Sequence, residues 1–131
     1  MMADINTYNH GLPWEDEHGI AQGYCVNGTL YISGQFSHDI QGTFVGEGDI
    51  EVQTRQTLEN LDRVLAGFGA ARSNIAEMEI FLADPQEHFE KCIRIFKEYV
   101  GDHRPAGTLV GVSGMAFPDQ LIEIRTIAYI S

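Results

Sequence analysis

The sequence has few positive charges, few cysteines and no long apolar run. Lys and Arg together number 8, against 19 Asp and Glu, which gives a formal net charge of −11. Such a chain repels a phosphate backbone, and no basic stripe offsets that repulsion, so nucleic-acid binding is not expected. No apolar stretch approaches the roughly 20 residues needed to cross a bilayer. The amino terminus also lacks the basic and apolar regions of a signal peptide, so we expect a cytoplasmic protein with no membrane partner.

The two cysteines are not arranged as a metal site or a redox pair. Cys25 and Cys92 belong to no CxxC or Cys/His spacing, and we expect buried thiols. The acidic run at residues 15–18 ends in His18 and contains several possible metal ligands. Consecutive residues seldom converge on one ion, so we expect no metal site there.

The length of 131 residues predicts a single domain with a core of its own. We expect residues 1–18, which are polar and acidic, to form an irregular arm. Trp14 is the one large apolar group in that arm. It would anchor the arm against the body or reach a neighbouring subunit, since aromatic residues are favoured at interfaces.

Hydrophobic periodicity predicts an α+β fold, with two helices on one face of a mixed sheet. An Asn27-Gly28 pair predicts a tight hairpin turn. Asp49 and Asp84 are expected to cap the helices, and the polar face of the first helix, which includes Gln53, is expected to be solvated. The predicted strands cover residues 20–26, 29–36, 75–82, 103–112 and 121–130, and the predicted helices cover residues 49–68 and 85–100.

Two places in these strands carry candidate chemistry. Alternation puts Glu123 and Arg125 on one face of the last strand, where they form either a weak surface ion pair or the wall of a cleft. At the end of the second strand, Ser33-Gly34-Gln35 is a small polar sequence that lets a ligand approach main-chain N–H groups. A strand-end bulge accounts for Gly34 equally well.

Five segments of the chain carry a resemblance to a known family: residues 30–35, 49–61, 81–84, 104–106 and 122–124. On these segments the chain, from His18 onward, resembles the Rid/YjgF family, also called the L-PSP or reactive-intermediate-deaminase family. That resemblance implies a chorismate-mutase-like α+β protomer and a homotrimer with small-molecule clefts between adjacent subunits. It also implies cofactor-free hydrolysis of reactive enamines and imines to 2-oxo acids and ammonia.

The resemblance also assigns roles to residues. Glu123 matches the family's glutamate in the last strand, which would position water or handle protons. Ser33, Gly34 and Gln35 match the family's Ser-Gly-Gln loop and would contact substrate.

Three polar positions of the family pattern are changed here. Gly107 stands where the family has the arginine that grips the substrate carboxylate, Ile20 replaces a tyrosine, and Ile93 replaces an asparagine. Losing a bidentate charged contact costs several kcal/mol of binding, so ordinary hydrolysis of 2-imino acids at family rates is not expected. Arg125 or Arg104 could supply a substitute guanidinium, although Arg125 could equally pair with Glu123 or an acid on a facing strand.

The sequence is compatible with two functions. One is a hydrolase of enamines or imines less anionic than 2-imino acids, with Glu123 as acid/base and the backbone at Ser33 and Gly34 as donors. The other is a non-catalytic trimer that binds a small neutral or apolar ligand, as the changes to Ile20 and Ile93 suggest. RNA cleavage, with which the family has been associated, does not fit the acidic balance.

Overall fold

A six-stranded mixed sheet backed by two helices forms the body of the protein in a computed structural model, which describes residues 2–131. The strand order is β1-β2-β3-β6-β4-β5, and only β4 and β5 pair in parallel. These features confirm the α+β fold. The strands are β1 (Ile5–Tyr8), β2 (Gly23–Val26), β3 (Thr29–Gln35), β4 (Ile75–Ala83), β5 (Ala106–Val112) and β6 (Ile122–Tyr129). The helices are α1 (Pro13–His18), α2 (Ile50–Gly67) and α3 (Pro85–Val100), and a short 3₁₀ turn covers Arg72–Asn74.

The hairpin between β2 and β3 forms where the sequence predicts it. Asn27 has φ 50° and Gly28 has φ 86°, as a type I′ turn requires at both central residues. Within β3, Leu30 and Ile32 are buried while Tyr31 is exposed. The buried side of the sheet therefore packs against the helices, and the other side is left uncovered.

Helix α2 is capped as predicted but buries more polar groups than expected. The Asp49 carboxylate accepts a hydrogen bond from the Val52 N–H at 3.1 Å. Gln53, expected on a solvated face, is fully buried. Its Nε2 donates to the Asp119 carbonyl at 3.0 Å, and its Oε1 accepts from the Leu121 N–H at 2.9 Å. Gln53 thus fixes the loop that leads into β6.

The expectation of an irregular amino-terminal arm is wrong for much of its length. Strand β1 pairs antiparallel with β2, extending the sheet by one strand. Helix α1 follows, and the buried Glu15 carboxylate accepts N–H bonds from His10, Gly11 and Leu12 at 2.8, 3.0 and 2.8 Å. A carboxylate that satisfies such backbone donors stabilises a helix start. Four strand residues and six helix residues are too few to show a clear hydrophobic period.

Two local details also differ from regular strand alternation and from the expected helix caps. The alternation of β4 fails at its start, where Ile75 is buried, Ala76 is exposed and the pairing with β6 shifts register. Asp84 precedes α3 with φ 43° and its side chain makes no capping hydrogen bond. Among the helices that the structure describes, none has the length and apolar content to span a membrane.

Candidate functional site

A cavity of about 350 Å³ opens beside the Glu123 carboxylate. Its volume lies in the range typical of small-molecule sites. Three separate parts of the chain meet there: α1 with the residues that follow it, the end of β3, and the loop before β6. The lining residues are Trp14, His18, Ile20, Gly34, Phe36, Ala116, Phe117, Gln120 and Glu123.

Glu123 reaches this cavity because it lies on the uncovered face of β6. Its neighbours Ile122 and Ile124 are buried against the helices, so alternation turns the half-buried Glu123 side chain the other way. The Gln120 Nε2 donates to the Glu123 Oε1 at 3.1 Å. That hydrogen bond holds the carboxylate in one orientation and leaves the second oxygen beside Gly34.

Gly34 is a glycine because the carboxylate lies directly against it. A Cβ placed on Gly34 would collide with the Glu123 side chain. The pairing of β3 with β6 shifts register between Ile32 and Gln35. The strand-end bulge, which was one of the two explanations for Gly34, is therefore present. The bulge and the missing side chain together let β3 pass close to the acid.

The other two residues of the Ser-Gly-Gln sequence do not line the cavity. The Ser33 N–H donates to the Gln22 carbonyl at 2.9 Å, and its hydroxyl donates to the Ala21 carbonyl at 2.8 Å. Both donors of Ser33 are therefore occupied within the chain, which is a correction to the expectation that its backbone donates to a ligand. Gln35 is almost fully buried among protein atoms.

Gln35 instead joins the amino-terminal arm to the sheet. Its Nε2 donates to the Gln22 Oε1 at 2.9 Å and to the Ser33 carbonyl at 3.0 Å, and its Oε1 faces the His10 Nε2 at 2.9 Å. Because the amide donates through nitrogen, its oxygen must accept, and the proton on His10 is assigned to Nε2. This network helps to position α1, which carries Trp14.

Gly107 and Ile93 lie away from the Glu123 cavity within one chain. Gly107 is on β5, which pairs with β4 and not with β6, and its register partner is Met78. Glu123 pairs with Phe81. The two positions are therefore two strand spacings apart across the sheet and three residues apart along it, about 10 Å in each direction. Ile93 is half-buried on α3 and is absent from the cavity lining.

Arg125 is engaged by acids of the facing strand. Its Nε lies 3.4 Å from the Glu79 Oε1, and its Nη2 lies 3.9 Å from the Glu77 Oε1. This is one of the two pairings that the sequence left open for Arg125. Neither Arg125 nor Arg104 lines the cavity, so neither places a guanidinium beside Glu123 within a single chain.

The sequence did not predict the aromatic wall of the cavity. Trp14 packs on Phe36 with ring centroids 5.8 Å apart, and Phe36 packs on Phe117 at 5.0 Å. Trp14 also meets His38 edge-on at 5.1 Å. Trp14 therefore anchors the arm to the body, one of its two expected roles. A Phe in a loop beside Pro118 is a weak signal, and only the fold brings Phe117 to this wall.

The cysteines and possible metal ligands do not add chemistry to the cavity. Cys25 and Cys92 are both free and buried, as expected. Burial raises the pKa of the Cys92 thiol to about 11, so it is protonated and unreactive near neutral pH. Within residues 2–131, no three His, Cys, Asp or Glu side chains are grouped as ligands for a metal ion.

Two histidines where the arm meets the body, the half-buried His10 and the fully buried His38, make this junction sensitive to acid. Desolvation by burial lowers the pKa of His10 and of His38 below the ordinary value of 6.5, although hydrogen bonds to Gln35 and to the Asp39 backbone partly oppose this. The unfolded chain therefore binds more protons than the folded chain as pH falls below 6.5. The stability from the neutral rings is complete above that pH and is lost on acidification below it.

We expect the midpoint of thermal unfolding, followed by the fluorescence of the sole tryptophan, Trp14, to fall more steeply below pH 6.5 in the unchanged protein than in His10→Gln. Because both proteins contain the same carboxylates, subtracting one pH dependence of the midpoint from the other leaves the contribution of His10. His18→Gln, at an exposed histidine, is the matched control and should follow the unchanged protein. If the unfolding midpoints of His10→Gln and of the unchanged protein fall equally with pH, His10 does not contribute to the acid sensitivity.

Comparisons with known proteins match nearly the whole chain. Residues 16–130 match the family model with the description Endoribonuclease L-PSP. A RutC family protein from Pyrococcus horikoshii is 37% identical over 100 residues, which cover 76% of this chain and 78% of that protein. The 3-aminoacrylate deaminase RutC of Acinetobacter baylyi is 33% identical over 101 residues, covering 77% and 79%. The crystal structure of a protein of the Rid family from Yersinia pestis has a TM-score of 0.78 and 35% identity, covering 84% of this chain and 86% of that one.

Proposed function

Since this chain belongs to the Rid/YjgF (L-PSP) family, we propose that it is a homotrimeric hydrolase that converts small enamines or imines into carbonyl compounds and ammonia. One observation carries the proposal: the Glu123 carboxylate opens onto a cavity of small-molecule size and is oriented there by Gln120. The similarity to a protein named as a 3-aminoacrylate deaminase supports the same reaction class.

Glu123 supplies the acid/base chemistry of this reaction. Water attacks the carbon of the protonated imine: the carboxylate takes one proton of the water, the C–O bond forms, and the C=N electron pair moves to the nitrogen, which gives a carbinolamine. The carboxylic acid so formed returns that proton to the nitrogen as the C–N bond breaks and ammonia leaves. The C=O bond forms as the hydroxyl proton passes to the carboxylate and from there to the departing ammonia or to solvent. A side chain that moves protons in this way typically contributes about 10²–10⁴-fold to a rate. An enamine enters the same sequence after protonation at carbon.

The substrate range follows from what lines the cavity. Apart from Glu123 and His18, the lining residues are uncharged, and none is Lys or Arg. The family arginine position, Gly107, could reach such a cavity only from another copy of the chain, and here it carries no side chain. We therefore propose substrates without a carboxylate to be gripped, and no cofactor.

The uncovered face of the sheet supports assembly into a trimer. Four large exposed side chains lie on that face, one from each of four strands: Tyr24, Tyr31, Val110 and Tyr129. A surface of this kind marks an interaction site. In solution, light scattering should give three times the chain mass of 14.6 kDa. Tyr31→Glu, which puts a charge at the centre of the face, should shift the protein toward smaller species, whereas a monomeric unchanged protein would contradict the proposal.

The hydrolase is tested by ammonia release from an imine that lacks a carboxylate, such as the imine formed when an amine oxidase acts on 2-phenylethylamine. With the protein far below the substrate concentration, we expect ammonia and phenylacetaldehyde to form in equal amounts and faster than in buffer. An unchanged rate would reject hydrolysis of this imine class.

The non-catalytic alternative uses the same cavity. Ile20 lines it beside three aromatic rings, which favours a small apolar ligand. If the alternative is correct, apolar ligands will raise the melting temperature while no imine is hydrolysed. Hydrolysis that requires Glu123 would exclude it.

A further inference from the structure

We infer that the Glu123 cavity selects organic cations: a protonated imine, or an ammonium ion, attached to an apolar or aromatic body. This inference deepens the proposed function and rests on its assignment of the site. The proposed substrates lack a carboxylate, and the inference adds that they carry a positive charge and N–H donors.

The charges around the cavity favour a cation. Glu123 is the one carboxylate in the lining, and no lining residue is Lys or Arg. The nearest arginine along β6 is Arg125, which lies within 4 Å of carboxylate oxygens of Glu77 and Glu79. The chain as a whole has a formal net charge of −11. Apart from His18, which also lines the cavity, no lining side chain could offset the carboxylate for an anionic ligand, whereas a cation would form an ion pair with it.

The hydrogen-bonding groups point the same way. Gln120, only 3% exposed, donates through Nε2 to the Ile122 carbonyl at 3.3 Å and to the Glu123 Oε1 at 3.1 Å. Its Oε1 is buried and has no hydrogen-bond partner within residues 2–131. A buried acceptor without a donor destabilises the folded chain, and a ligand that supplies the donor relieves that cost. Gln120 also lines the cavity, so the residues of its wall include a buried amide oxygen without a donor and a carboxylate, and both groups accept N–H donors.

A ligand N–H group fits this pair of acceptors, and a carboxylate does not. An ammonium ion carries three N–H donors and a protonated imine of a primary amine carries two, so either can serve the Gln120 oxygen and the Glu123 carboxylate together. A ligand carboxylate offers acceptors only, and it would leave the Gln120 oxygen unsatisfied.

The aromatic wall accommodates the rest of such a ligand. Three aromatic rings form a continuous stack, with Trp14 on Phe36 and Phe36 on Phe117. These rings line the cavity together with Ile20. The faces of aromatic rings attract cations, and the rings also cover apolar groups. A positive nitrogen next to an apolar body matches this combination of walls.

The same arrangement would aid hydrolysis. Protonation of an imine draws electrons from its carbon and prepares it for attack by water, and a carboxylate nearby stabilises the protonated form. Glu123 would then serve both as the counter-ion of the substrate and as the acceptor of the water proton, at successive moments of one reaction.

Binding of unreactive probes tests the inference separately from turnover. Three probes share a phenyl ring and a short chain: 2-phenylethylammonium, 2-phenylethanol and 3-phenylpropanoate. By titration calorimetry on the assembled protein, we expect the ammonium to bind at least about tenfold more tightly than the alcohol, which corresponds to about 1.4 kcal/mol. We expect no measurable binding of the carboxylate.

Matched variants locate the binding. Glu123→Gln should weaken the ammonium by about tenfold or more, and Gln120→Leu should weaken it by a smaller factor. Glu90→Gln removes one negative charge from the exposed face of α3, outside the cavity, and should leave the affinity unchanged. Circular dichroism and melting curves will show whether each variant folds. A Gln120 variant that unfolds leaves the Glu123→Gln comparison, at a half-buried position, to decide.

Each outcome decides one of the two proposals. Tighter binding of the ammonium that depends on Glu123, without imine hydrolysis, would support the cation site and reject the hydrolase. Imine hydrolysis with equal binding of ammonium and alcohol, or with tighter binding of the carboxylate, would overturn the cation site and leave the hydrolase standing. Equal loss of ammonium affinity in Glu90→Gln and Glu123→Gln would also overturn the cation site, because it would reveal an effect of net charge.

Discussion

Glu123→Gln should lower kcat for imine hydrolysis by about 10²–10⁴-fold, the usual contribution of a side chain that moves protons. Glutamine keeps the size of the side chain and can still bond to Gln120, but it cannot take a proton from water. The expected signature is a fall in kcat, with ammonia and carbonyl product falling together.

A stability control distinguishes this effect from misfolding. Glu123 is half-buried and its pairing with β4 is made by the backbone, so the variant should melt close to the unchanged protein. Glu79→Gln lies on the same face of the sheet, outside the cavity lining, and should retain most of the activity. Full activity in Glu123→Gln would remove Glu123 from the mechanism.

Gly107→Arg should raise kcat/KM for 2-imino acids by about 10- to 100-fold. A hydrogen bond to a charged group contributes about 1.5–3 kcal/mol, and an arginine can make two such bonds to one carboxylate. The position accepts a side chain, because a Cβ at Gly107 would meet only the Met78 carbonyl oxygen, at an ordinary 3.9 Å. The gain requires the trimer, since Gly107 lies far from the cavity of its own chain.

Gly107→Gln is the matched control, because it adds a polar side chain without the charge or the planar fork. It should leave the rate for 2-imino acids nearly unchanged. If Gly107→Arg and the unchanged protein hydrolyse 2-imino acids equally well, the arginine was never needed and our account of the substrate range is wrong.

Two residues of the cavity, Glu123 and Gly34, were named from the sequence, partly from strand alternation and partly from the family resemblance. Strand alternation placed Glu123 on one face of β6, and that is a local property of the chain. The resemblance to the Rid/YjgF family then assigned Glu123 and Gly34 to one site, and the structure places the two residues side by side. Ile20 was found in the same way, from a position where the family pattern has a tyrosine.

The remaining walls depended on contacts between distant segments. Trp14, Phe36 and Phe117 come from the arm, the end of β3 and the loop before β6. No period or motif relates these segments. Gln53 was expected on a solvated face and Gln35 in contact with substrate, whereas both are buried here and hold segments together through hydrogen bonds. Such residues can be recognised only when their partners are known.

The most direct test of the account compares two imines that differ by one carboxylate: the 2-imino acid formed from phenylalanine and the imine formed from 2-phenylethylamine. Both can be generated in the reaction mixture by oxidases, and kcat/KM can be measured for each by ammonia release. A cavity with a carboxylate, an unsatisfied amide oxygen and no arginine should favour the imine without the carboxylate, by at least about tenfold. A preference for the 2-imino acid would contradict the account.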